Sequence, residues 1–316
     1  MIALDEIRSA RDVVAGSVLR TPLIRVELQE SPAELYLKLE NLQPIGSFKL
    51  RGALNALAHA SREQLRDGVV TSSAGNMAQG AAWAAREYGV PCTVAVPETA
   101  PQTKLAAVER LGARVIRLSP ERWWRSLADP SVVGAAGFFV HPFDDVRVMA
   151  GNGTIGLELL EDLPDLDAVV IPWGGGGLAV GIASAVRAER PEAQVFAAEP
   201  ETGAPLAASF AAGSPQEVDY RPSFVDGAGG PAVAPTMWTR AQGPIEGSFP
   251  APLDDVAAAV RLLAERAHVV AEGAGALALA AALSGRAGGG KIVCIVSGGN
   301  IDAAVLAAIL RGEIPS

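Results

Sequence analysis

At 316 residues, with 35 acidic against 26 basic side chains, the chain carries a net charge of −9 and shows no basic cluster. That balance excludes a nucleic-acid binder and suits a globular protein long enough for two modest domains. Two cysteines in apolar runs (Cys92, Cys294) and three scattered histidines (His59, His141, His268) exclude a disulfide framework and a His-based metal site.

From the N-terminus onward, Asp5, Glu6, Arg8, Arg11 and Asp12 interrupt any signal-like apolar core, and a cytoplasmic protein is expected. Strands are predicted at 35–39, 69–72, 92–96, 114–118, 138–141, 168–171, 194–198 and 291–296. Helical patterns lie between and beyond them, at 78–88, 103–111, 155–163, 178–189, 253–267, 274–283 and 303–310. Such alternation predicts an α/β fold of parallel sheets flanked by helices. The uncharged stretch 168–186 is long enough to span a bilayer. Pro172 and four glycines inside it would expose backbone groups that lipid cannot satisfy, so no membrane partner is expected. Residues 222–250 carry few strand or helix signals and read as a functional loop or an unrecognised element.

Four motifs punctuate this pattern. SFKLRGA (47–53) places Lys49 after the turn Gln43-Pro44-Ile45-Gly46 and at the head of a helical run, Leu50, Ala53, Leu54 and Leu57. Burial there lowers an amine's pKa from about 10.4, and a neutral amine is suited to Schiff-base chemistry. SSAGN (72–76) offers hydroxyls and an amide at a helix entry, where Ser72 or Ser73 also serves as a cap. Gly174, Gly175, Gly176 and Gly177 stand between a strand and a helix beginning near Leu178. Bare backbone there approaches an anion closely, and the helix end adds roughly +0.5 of an elementary charge. No glycine stands at position 179, so the dinucleotide fingerprint fails and a phosphate monoester is the better ligand. VSGGNID (296–302) follows the strand-like KIVCI and presents Ser297 at its head.

In order and approximate spacing these motifs resemble the pyridoxal-phosphate enzymes of the threonine dehydratase and serine racemase family, from about residue 20 to 310. The resemblance implies the two-domain fold-type II architecture shared with the tryptophan synthase β chain. A large domain of residues 1–51 and 143–316 would hold an inserted small domain, 52–142, with pyridoxal 5'-phosphate between them. It implies cofactor contacts from Phe48, Lys49, Asn76, Gly174, Gly175, Gly176, Gly177, Leu178 and Ser297. Lys49 would hold the aldehyde and then act as base, while Ser73 would bind the substrate carboxylate. Ser297 would face the ring nitrogen as a neutral partner, which weakens the electron sink and suits elimination.

The implied reaction is loss of ammonia from a β-hydroxy amino acid such as threonine or serine, catalysed by a homodimer. A racemase on the same scaffold is the alternative, followed by a non-catalytic cofactor-binding protein. Met77 stands where many relatives carry histidine, and Ala74 where serine racemases carry the serine acid of the second face. Glu199 corresponds to a metal-binding carboxylate in those racemases, but Pro205 replaces its partner. No metal is therefore expected, and Glu199 reads as a surface residue. Glu272 is expected near the cofactor ring. SGGNID stands close to the end of the sequence, and a C-terminal regulatory domain like that of biosynthetic relatives is not expected.

Overall fold

The computed structural model describes residues 1–28, 33–100 and 102–315. Its strands are β1 (Leu23–Val26), β2 (Glu34–Leu39), β3 (Val69–Ser72), β4 (Cys92–Pro97), β5 (Arg114–Leu118), β6 (Phe138–Phe139), β7 (Ala168–Pro172), β8 (Gln194–Pro200), β9 (Gly247–Ala251) and β10 (Lys291–Val296). The helices before β7 are α1 (Leu4–Val14), α2 (Lys49–Ala58), α3 (Asn76–Glu87), α4 (Gln102–Arg110), α5 (Pro120–Ala128) and α6 (Val146–Asp162). Those after it are α7 (Gly177–Glu189), α8 (Pro205–Ala212), α9 (Pro235–Ala241), α10 (Leu253–Arg266), α11 (Gly273–Leu283) and α12 (Ala303–Leu310).

Two sheets organise these elements. The larger has the order β1-β2-β10-β7-β8-β9 and the smaller β5-β4-β3-β6. All neighbours run parallel except β1, which pairs antiparallel with β2 at the edge. Parallel strands covered on both faces read as unbroken apolar runs, and AVVI of β7 and IVCIV of β10 are buried throughout. Alternate residues serve opposite faces. Val169, Ile171, Val293 and Ile295 pack with α6 and α7, whereas Ala168, Val170, Ile292 and Cys294 pack with α10 and α11. The small sheet is covered by α2, α3 and α4 on one face and meets Trp123 of α5 on the other. Burial pushes the thiols of Cys92 and Cys294 up to about 12, which leaves both unreactive at neutral pH.

The stretch 222–250 is not structureless. It contains α9 and then enters β9, whose Gly and Pro are tolerated because β9 is an edge strand.

Candidate active site

The motif loops converge because each leaves the C-terminal end of a parallel strand, the end at which open α/β sheets build ligand sites. β3 delivers Ser73 to Gly75, β7 delivers Trp173 to Gly176, and β10 delivers Ser297 to Asn300. The lysine motif is stitched to the last of these. Ser47 and Gly298 form an antiparallel bridge, Phe48 N donates to Ser297 O (3.1 Å) and Gly299 N donates to Gly46 O (2.9 Å). Gly46 makes the turn with φ +72°, and a Cβ there would lie 2.7 Å from the Asn300 side chain. The Asn300 amide donates to Ile45 O (2.8 Å) and to Asn76 Oδ1 (2.7 Å), while Asn76 Nδ2 donates to Glu272 Oε1 (2.7 Å).

A cavity of about 450 Å³ opens between the two sheets, lined by Phe48, Lys49, Ser73, Asn76, Gly174, Gly175 and Ser297. Lys49 Nζ donates to Pro142 O at 2.7 Å and lies 5.1 Å from the Phe48 ring centre. Burial draws its amine down to about 8, against the opposing field of Glu272. Burial, reinforced by Asp226, pushes Glu272 up to about 7, although its bond from Asn76 and the nearby lysines favour the anion. Ser297 donates to Ala274 O at 3.4 Å, a long bond that leaves the hydroxyl open to a better partner.

Not every expected residue reaches the cavity wall. Gly176, Gly177 and Leu178 lie behind it, where Leu178 is part of the core. Gly176 makes a left-handed turn with φ +91°, and a Cβ would meet the Trp173 ring at 2.4 Å. A Cβ on Gly175 would fall 2.2 Å from the Phe143 ring, so the loop admits no side chain.

Glu199 is a correction. It is fully buried, not a surface residue, and accepts from Leu206 N (2.9 Å), Ala207 N (2.8 Å) and the Ser248 hydroxyl (2.7 Å). Its carboxyl thus caps α8, whose first helical residue is Pro205. Burial pushes it up to about 7 against those three bonds. Among the described residues no group of three or more His, Cys, Asp or Glu is placed to hold a metal.

Several lining residues escaped the sequence reading. Lys104 of α4 and Asp226 form an ion pair at the cavity, joined there by Tyr220, Phe143, Trp123 and Trp124. The glycines of 227–230 were a signal for the Asp226 loop. No signal marked the tryptophans, because α5 was not predicted.

The profile of pyridoxal-phosphate dependent enzymes matches residues 14–298. The chain belongs to that family. An L-threonine ammonia-lyase of Thermotoga maritima is 40% identical over 317 residues, which is 98% of this chain and 79% of the relative. A catabolic L-threonine dehydratase of Staphylococcus aureus is 35% identical over 320 residues, covering 98% and 92%. Among solved structures, serine racemase from Dictyostelium discoideum superposes with a TM-score of 0.87 at 33% identity, over 95% of this chain and 99% of that one. Threonine deaminase isoform 2 from Solanum lycopersicum gives 0.87 at 32% identity, over 98% and 91%. The family's pyridoxal phosphate dependence and the lyase relatives agree with the fold class and chemistry expected from the motifs.

Proposed function

We propose that this enzyme is a pyridoxal-phosphate-dependent ammonia-lyase converting a β-hydroxy amino acid, such as threonine or serine, into a 2-keto acid and ammonia. The observation that carries the proposal is Lys49, an amine brought near neutrality on the wall that also presents Ser73, Asn76 and Ser297. The threonine ammonia-lyase relatives support the same reading.

These residues fit the cofactor. Gly174 and Gly175 present bare backbone at the cavity, on the loop that leads into α7, a 13-residue helix whose first N–H groups lack intrahelical acceptors, which suits a phosphate. Lys49 is the primary amine for the aldehyde, Phe48 stands beside it, and Ser297 offers the ring nitrogen a neutral hydroxyl. Pyridoxal phosphate, when bound, supplies an aldehyde for the substrate amine and a ring that draws electrons from the α-carbon.

The protein's own part is positioning and proton transfer. With its pKa near 8, Lys49 accepts the α-proton at neutral pH without a large energetic mismatch. Ser73 and the backbone of 74–76 hold the substrate carboxylate at the entry of α3. Asn76 is fixed on both sides by Asn300 and Glu272, so its amide is pre-oriented. The pyridoxal site lies between the proposed large domain (1–51, 143–316) and small domain (52–142). No described helix is long and apolar enough to cross a membrane. A cytoplasmic homodimer with a small amino-acid substrate completes the proposal.

Ala74 favours lyase over racemase, because a methyl group cannot reprotonate the α-carbon from the face opposite Lys49. Incubation with L-serine and L-threonine, followed by keto-acid assay and chiral chromatography, tests this. Keto acid is expected to outrun D-enantiomer, and equal rates would reject the assignment.

A further inference from the structure

The cavity wall contributed by α5 is out of proportion to a methyl-sized side chain. Trp123, Trp124 and Leu127 all line the cavity. Trp124 also lines an adjoining cavity of about 510 Å³. Although Trp124 faces these cavities, it remains 53% exposed, an apolar ring with unused surface. The two indoles meet edge to face with centres 5.0 Å apart and planes at 69°, an arrangement that leaves ring surface for a third aromatic group.

The wall is tied to the candidate carboxylate loop. The Ser126 hydroxyl of α5 hydrogen-bonds the Ser72 hydroxyl at 2.7 Å and donates to Trp123 O at 2.6 Å. Ala95 O accepts both Ser73 N (3.0 Å) and Trp123 Nε1 (3.3 Å). One carbonyl therefore sets the loop and an indole relative to each other.

Charge excludes an acidic side chain. Among the described lining residues the cations are Lys49 and Lys104, and Lys104 is already paired with Asp226.

We infer that the site is built for a β-hydroxy-α-amino acid bearing an aryl group on its β-carbon, held against Trp123 and Trp124. This substrate class rests on the lyase reading above. In the reaction the Cα–H and Cβ–O bonds break, a carbon–carbon double bond forms and water leaves. The released enamine tautomerises and takes up water, giving ammonia and an arylpyruvate. The net change is loss of ammonia, with no external oxidant or reductant.

The holoenzyme is assayed with L-threo-3-phenylserine, L-threonine and L-serine for keto-acid release. Phenylserine should show a kcat/KM roughly tenfold or more above threonine, since aromatic packing supplies discrimination of that order. Trp124→Ala should lower the phenylserine value about tenfold and the threonine value less than about threefold, with Trp124→Phe restoring most of the loss. Threonine used as well as phenylserine, or equal losses on both in Trp124→Ala, would overturn the inference while leaving the lyase reading intact.

A second readout needs no turnover. L-Phenylalanine lacks the β-hydroxyl and cannot eliminate, so its binding is followed by tryptophan fluorescence against L-alanine. Tighter phenylalanine binding that is lost in Trp124→Ala supports the aromatic wall even if no substrate yields keto acid. The absence of any preference over alanine refutes it.

Discussion

Two lysines in this protein, Lys38 and Lys49, are held in opposite ways. Lys38, on β2, is fully buried, donates to Thr21 O (2.7 Å) and pairs with Glu158 (2.6 Å). Glu158 also takes two bonds from Arg51, which grips Glu40 with two more, each at 2.8 Å. Two cations thus face two buried carboxylates, with Asp162 3.9 Å from Lys38 at the margin and Thr154 and Leu19 O accepting further guanidinium protons. Among the described residues the Lys49 amine has one hydrogen-bond partner, the Pro142 carbonyl, and Glu272 acts on it from beyond ion-pair distance. Burial with complete pairing makes a rigid support, and burial with incomplete pairing makes a reactive amine. Arg51 and Lys49 share the first turn of α2, so the support holds the helix start that carries the proposed reactive lysine.

The comparison breaks hardest at Lys49 itself. Lys49→Ala should remove the visible absorbance of bound cofactor and lower keto-acid release by roughly a thousandfold or more, since the proposed anchor and the proposed base are the same side chain. Normal absorbance with full turnover would refute the assignment.

Next in size is Arg51→Leu, which leaves Glu158 its ion pair with Lys38 and leaves buried Glu40 only the neutral donors Thr21 and Gln43 among the described residues. A loss of about 3–5 kcal/mol is expected, read as a fall in melting temperature of roughly 6–15 °C. A change of about a degree would show that the cluster is replaceable.

The smallest effect is the pH response of the cofactor-free protein. Glu272 is raised to about 7, so its neutral form favours the fold below the usual carboxylate range, and that advantage is lost as pH rises through 7. Lys49, lowered to about 8, acts in the other window: stability recovers as pH climbs from 8 towards 10.4. Glu40, held low chiefly by Arg51 against its burial, makes its contribution throughout and yields it only in acid. Melting temperatures of wild type and Glu272→Gln between pH 5 and 9 should therefore diverge, the variant being flatter below pH 7.5. Identical profiles would remove Glu272 from the account.

Sequence alone revealed the elements whose apolar runs need no context. Strands β3, β5 and β10 fall on the predicted residues because each is a continuous β-rich run in a parallel sheet. Edge strands β1 and β9 were missed, as were α5, α8 and α9, short helices each opening on a proline that punctuates like a turn. The motif loops were legible because chemistry is concentrated in consecutive residues. Arg51, Trp123 and the Lys104–Asp226 pair were not, since their partners stand far away along the chain, and Glu199 read as exposed because the proline-headed helix it caps was itself missed. Arg51 meets Glu158 across 107 positions, and Lys104 meets Asp226 across 122.

The place of β10 has a consequence for how the protein comes into being. It is the last in chain order of the described strands, yet it belongs between β2 and β7. A nascent chain that ends before it has the lysine motif and the glycine loop but no middle to its larger sheet, and Ser297 and Asn300 are missing. Pairing β2 with β10 closes a loop of about 250 residues, the kind of contact that forms slowly and late. Until then the apolar edges of β2 and β7 stand open to chaperones and to each other. The cofactor therefore has no complete pocket to enter until β10 has been made and has taken its place between β2 and β7.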